Sequence, residues 1–187
     1  MIVYLHGFNS SPQSHKAQEL GRFMAQRRLA AQYACPALSP LASDAIREIE
    51  KLPLHRGVCF VGSSLGGFYA TYLVEKHQAR AVLVNPAIDP HIGLREYLGS
   101  QKNLHTGEPY ELTEAHLKEW QDLYLPRLTP RRYLLLVETG DEVLDYRRAV
   151  ERYAGAEQVV IEGGDHSLQS FPRHLQRILE FSRANPL

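Results

Sequence analysis

Two cysteines, Cys35 and Cys59, are all the thiols in this chain of 187 residues. That is too few for a disulfide framework, and both sit in strand-like surroundings that suit buried side chains. An excess of either charge is missing as well, since 21 Lys and Arg balance 21 Asp and Glu. Without a basic surplus there is no electrostatic case for a nucleic-acid or anionic-membrane partner. No apolar run approaches the roughly 18 residues of a membrane span. The opening Met1-Ile2-Val3-Tyr4-Leu5 runs into His6-Gly7 with no basic segment or cleavage site, so a cytoplasmic location is expected. Repeats and low-complexity tracts are absent. The nine histidines are not spaced with cysteines or carboxylates as metal ligands are, and no phosphate-cradling glycine loop is visible. Neither a metal nor a cofactor is expected.

Short apolar runs alternating with amphipathic stretches are what the chain does have. The expected strands are Ile2–Leu5, Gln32–Cys35, Val58–Val61, Ala81–Val84, Tyr133–Glu138 and Gln158–Ile161. Several are apolar nearly end to end, the mark of parallel strands covered on both faces. Between them, Leu20, Phe23, Met24 and Arg27 share one helical face. Ala45, Ile46 and Ile49 mark a second helix, and Phe68, Tyr69, Tyr72 and Leu73 a third. Asp145 reads as the N-cap of a helix through about Tyr153, and Phe171 to Phe181 as a C-terminal helix. This alternation predicts one α/β domain over 1–187, with a mostly parallel sheet of about six strands and helices on both faces. One segment, 87–128, shows no convincing strand, although Thr113 suits the cap of a helix carrying Leu117, Trp120 and Tyr124. It is expected to be a helical cap insert.

In such a fold, chemistry sits on the loops beyond the strands' carboxyl ends. The stretch Gly62-Ser63-Ser64-Leu65-Gly66 follows a strand-like run and opens a helical one. A nucleophile elbow is a sharp strand-to-helix turn that leaves no room for side chains two residues either side of the serine. Ser64 has glycine at both places; Ser63 has Val61 and Leu65 and fails. Ser64 is therefore the expected nucleophile. An elbow serine needs an acid and then a histidine downstream. Asp141 follows the fifth strand and His166 the sixth, with Asp145 and Asp165 as alternative acids. Asp145 has a capping role to fill, and Asp165 adjoins the histidine it would have to face. His166 would shuttle the serine proton, and the acid would hold its tautomer. The oxyanion would lie on the backbone amides of Leu65 and of Phe8, in the loop after the first strand. His6 is read as a brace for that loop.

With these residues in place the chain resembles the YqiA/YcfP-type esterase family of small α/β-hydrolases. The matching pieces are YLHGFNSSP at 4–12, VGSSLGGFYATYL at 61–73 and VNPA at 84–87. EYLG at 96–99, TGDEVLDYR at 139–147 and IEGGDH at 161–166 follow in the family's order over nearly the whole chain. The resemblance implies a serine hydrolase of small-molecule carboxylic esters or thioesters using Ser64, Asp141 and His166. Asp165 stands where an amide residue would also fit. Two other readings stay open. One is a non-catalytic binding protein on the same fold. The other is the same triad at work in amide cleavage or acyl transfer.

Overall fold

The computed structural model describes residues 1–184 other than 56 and 105, so the domain expected over 1–187 runs three residues past the last described one. Six parallel strands form one sheet: β1 (Ile2–Leu5), β2 (Tyr33–Ala34), β3 (Cys59–Ser63), β4 (Arg80–Val84), β7 (Tyr133–Glu138) and β8 (Glu157–Ile161). Their order is β2-β1-β3-β4-β7-β8. The α/β-hydrolase fold read from the sequence is the fold observed, with every strand pair of this sheet parallel.

Successive strand residues face opposite sides, and both sides are covered. Val3, Leu5, Phe60, Leu83, Leu135 and Val137 pack with α2 (Ala42–Ile49), α3 (Leu65–His77) and α6 (Tyr146–Arg152). Ile2, Tyr4, Val61, Val82, Val84 and Leu136 pack with α1 (His15–Gln26) and α7 (Phe171–Arg183). That two-sided burial is why the strands read as unbroken apolar runs. Among the described residues no helix is long and apolar enough to cross a membrane.

Several expected boundaries move. The first edge strand shrinks from Gln32–Cys35 to two residues behind a 3-10 turn at Ala30–Gln32, because it pairs with β1 only at Tyr33 and Ala34. The strand expected at Val58–Val61 shifts toward Ser64, running from Cys59 to Ser63. Arg27 closes α1 rather than sharing its buried face, and its guanidinium lies 3.6 Å from the Phe23 ring centroid.

Residues 87–128 hold more than helices. After α4 (Pro90–Gly93) comes an antiparallel pair, β5 (Gly99–Lys102) and β6 (Pro109–Leu112), which the sequence reading did not anticipate. Its strands read GSQK and PYEL, polar and half exposed, so no apolar alternation marks them. Then α5 (Glu114–Asp122) starts on a Thr113–His116 capping box and buries Leu117 and Trp120. The Trp120 indole N–H donates to the Tyr69 hydroxyl at 3.0 Å, tying the segment to α3 through a buried bond.

Candidate active site

The sheet order reverses beside β1, since the chain passes from β1 to β2 on one side and then crosses to β3 on the other. The crevice between two such strands is the usual ligand site of an open α/β sheet. The loops leaving β1 and β3 here carry the expected oxyanion segment and Ser64. They touch: a Cβ on Gly7 would lie 3.3 Å from Ser64 Cβ and 3.8 Å from its Oγ.

Ser64 itself holds φ 54° and ψ −121°, a conformation that costs a non-glycine residue energy. The turn is locked by bonds from its amide to the Val84 carbonyl, and from the Gly67 and Ala87 amides to its own carbonyl, all 2.9–3.0 Å. The glycines around it are there for space. A Cβ at Gly62 would sit 2.6 Å from the Gly66 carbonyl carbon. One at Gly66 would meet the Leu5 carbonyl carbon at 2.5 Å. Helix α3 can thus sit directly on β1 and β3 and lift the serine clear of the sheet.

His166 lies in the loop after β8, and its Nδ1–H donates to both Asp141 carboxylate oxygens, at 2.9 and 2.8 Å. The other imidazole nitrogen, Nε2, then carries the free lone pair. The Asp141 side chain is 1% exposed and accepts two further bonds, from the Val143 and Leu144 amides at 2.9 and 2.8 Å. Burial pushes this carboxyl up, but the bonds from His166 and the two amides outweigh it and hold it below its ordinary value.

The other two aspartates have different partners. Asp145 caps α6 through the Arg147 amide and pairs with the Arg147 guanidinium. Asp165 turns back on its own loop, to the Ser167 amide and the Gln169 side chain. Of the three candidate acids, Asp141 is the one that meets the imidazole.

Ser64, His166, Phe8 and Leu65 line one cavity of about 1060 Å³, walled by residues 86–97 on one side and 142–145 on another. Among the described residues, the amides of Phe8 and Leu65, the expected oxyanion donors, make no backbone–backbone bond outside the helices and strands. His6, buried beneath, accepts from the Leu38 amide at 3.1 Å through Nε2 and donates through Nδ1 to the Gly7 carbonyl at 3.0 Å. It braces the loop, as its position suggested.

A family model described as "Uncharacterised protein family (UPF0227)" matches residues 1–183. The chain belongs to the UPF0227 family. This is the YqiA/YcfP type that the motifs pointed to. A UPF0227 protein of Pectobacterium carotovorum is 26% identical over 97% of this chain and 98% of its own length. One from Serratia proteamaculans is 27% identical over the same shares. Among solved structures, mouse alpha/beta hydrolase domain-containing protein 10 superposes with a TM-score of 0.69 at 15% identity, over 96% of this chain and 87% of that one. Est1E from Butyrivibrio proteoclasticus gives 0.66 at 14%, over 96% and 85%. Such likenesses establish the α/β-hydrolase fold of this UPF0227 chain.

The sequence reading passed over the residues that hold the histidine loop. Glu142 accepts from the His166 amide at 3.0 Å, and the Lys16 ammonium donates to the Ser167 carbonyl at 2.6 Å. The Asn85 side chain donates to the carbonyls of Asp165 and His166 at 3.1 and 3.0 Å. Asn85 lies within the VNPA stretch, but partners eighty residues away leave no local signal. Burial pushes the Cys35 and Cys59 thiols up to about 11 and about 12, so neither is a ready nucleophile. Among the described residues no three His, Cys, Asp or Glu side chains group as a metal site requires.

The Asp141 carboxyl binds its proton less readily folded than unfolded. Its contribution to stability is complete above about pH 5 and is lost as pH falls through about 4 and below. Thermal melts between about pH 7 and 3.5 should show a steeper fall in Tm for the native chain than for Asp141→Asn. Parallel curves would contradict this.

Proposed function

We propose that this protein is a serine hydrolase that cleaves carboxylic esters or thioesters through an acyl-enzyme on Ser64. The observation that carries the reading is the Asp141–His166 pair, bonded at 2.8 Å and opening onto the same cavity as the strained Ser64 turn. His166 Nε2 takes the Ser64 proton as Oγ attacks the acyl carbon, and the oxyanion settles on the Phe8 and Leu65 amides. Collapse expels the alcohol or thiol, which receives the proton from His166. Water then repeats the sequence on the acyl-enzyme and frees the acid.

The cavity suits an apolar acyl or alcohol group. Ile92, Tyr97 and Val143 are 61%, 41% and 62% exposed, and all three line it beside Phe8 and Leu94. Residues 86–97 serve here as a wall over the site, and the Phe8 and Tyr97 rings meet at 5.5 Å. A hydrolase is also what the structural neighbours support, since they include the protein named Est1E and other hydrolases of this fold.

Rapid quenching of the enzyme with p-nitrophenyl acetate tests the acyl-enzyme. A species heavier by one acetyl group, mapping to Ser64 and decaying at the turnover rate, is expected. Release of acid with no covalent species on any time scale would count against it. The acyl-transfer reading is separated by adding an alcohol, because a transferase diverts the acyl group to a new ester.

A further inference from the structure

Strand β7 is apolar from Tyr133 to Val137 and then ends on a carboxylate, Glu138, that is 1% exposed. A carboxylate in such a place is costly unless donors meet its oxygens. Here Oε2 accepts from the amides of Asp165 and Gln169 at 2.9 and 3.0 Å, and Oε1 from the amide of Ser170 at 2.9 Å. All three donors belong to the loop that carries His166. They bracket the histidine, one residue before it and three and four after. A Cβ at Gly164 would collide with the same carboxylate, so the loop closes on Glu138 with no side chain between. Burial pushes the Glu138 carboxyl up, and the bonds from Ser170, Asp165 and Gln169 together bring it below its ordinary value. It meets these donors as an anion.

A second buried side chain completes the arrangement. The Glu138 amide donates to Asn85 Oδ1 at 3.1 Å, while Asn85 Nδ2 holds the Asp165 and His166 carbonyls. Asn85 keeps a φ of 40°, and its amide donates to the Leu136 carbonyl on β7 at 3.0 Å. It directly follows Val84, whose carbonyl takes the Ser64 amide. The serine's turn, the strand leading to Asp141 and the histidine's loop are thereby joined through two side chains. Neither one lines the cavity.

We propose that Glu138, seconded by Asn85, is a positioning residue that fixes the loop so that His166 stays bonded to Asp141 and presents Nε2 to Ser64. The proposal rests on the serine-hydrolase reading above. In Glu138→Gln the side chain keeps its size, but an NH2 group replaces one oxygen and faces an N–H donor. In Asn85→Asp an oxygen replaces the NH2 that held two carbonyls. Each change loosens the loop and leaves the side chains of Ser64, His166 and Asp141 as they are. A displacement of about 1 Å at a reacting group costs on the order of 100-fold.

The experiment compares the native chain with both variants by the rate of fluorophosphonate labelling at Ser64, by kcat and KM for p-nitrophenyl acetate, and by the downfield proton resonance of His166 Nδ1–H. Labelling rate and kcat should fall about 10- to 100-fold per folded molecule, with KM within about twofold. The Nδ1–H resonance should shift or broaden. Native labelling rate, kcat and resonance in either folded variant would overturn the proposal. So would losses that vanish once corrected for the folded fraction. If the native chain takes no label, the hydrolase reading fails instead. An unchanged Nδ1–H resonance in Glu138→Gln would then overturn the positioning role by itself.

Discussion

Replacing Ser64 by alanine is expected to lower kcat/KM for ester hydrolysis by about 10⁵- to 10⁶-fold while leaving the protein folded. The change removes one oxygen from the lining of the cavity and leaves the backbone turn as it is. The turn's three locking bonds all use the Ser64 amide and carbonyl, which alanine retains. Its φ of 54° is no easier or harder for alanine than for serine. The melting temperature should therefore stay within a few degrees, because activity and stability draw on different atoms of this residue. His166→Ala should cost about as much, and the double variant little more than either alone, since serine and histidine act as a unit. Steady-state assays on the three variants, beside circular dichroism, check this. A Ser64→Ala enzyme with native turnover would refute the mechanism outright.

Asp141→Asn is expected to lower kcat by on the order of 10⁴-fold, with Asp145→Asn and Asp165→Asn within about threefold of native. The cause is the tautomer of His166. The Asp141 carboxylate accepts from Nδ1–H and from the Val143 and Leu144 amides. In asparagine the carbonyl oxygen stays with the two amides, and the NH2 is left facing the imidazole. Nδ1 must then accept, which moves its proton to Nε2, and Nε2–H cannot take the proton of Ser64. The Asp145 and Asp165 side chains bond to neighbouring groups, Arg147 in one case and Ser167 with Gln169 in the other. Their loss leaves the imidazole's tautomer alone. If Asp165→Asn, rather than Asp141→Asn, abolished turnover, the acid would have been misassigned.

These assignments show where sequence is informative. Gly62, Ser64 and Gly66 are legible because the steric demand is local: three residues in one turn, each within reach of the next. The strands were legible because both faces of the sheet are buried, which leaves an apolar run in the sequence. By contrast, β5 and β6 are half exposed and polar, so nothing in GSQK or PYEL announces a hairpin. Among three nearby aspartates, the capping position of Asp145 and the adjacency of Asp165 to His166 already favoured Asp141, and the fold places Asp141 against the imidazole. Glu138 is the clearest gap. It ends an apolar strand as an ordinary charged residue would, and its partners lie 27 to 32 residues further on. Long-range bonds to backbone amides leave no pattern in the side chains that make them.

The central claim is that Ser64 is an activated nucleophile, and covalent labelling tests it without knowledge of the natural substrate. The native chain is treated with a fluorophosphonate probe, its intact mass is measured and the modified peptide is mapped, with Ser64→Ala and His166→Ala as controls. The account predicts one adduct per chain, on Ser64, absent from the first control and slowed by orders of magnitude in the second. No adduct on a folded native chain, under conditions that label an established serine esterase, would contradict it.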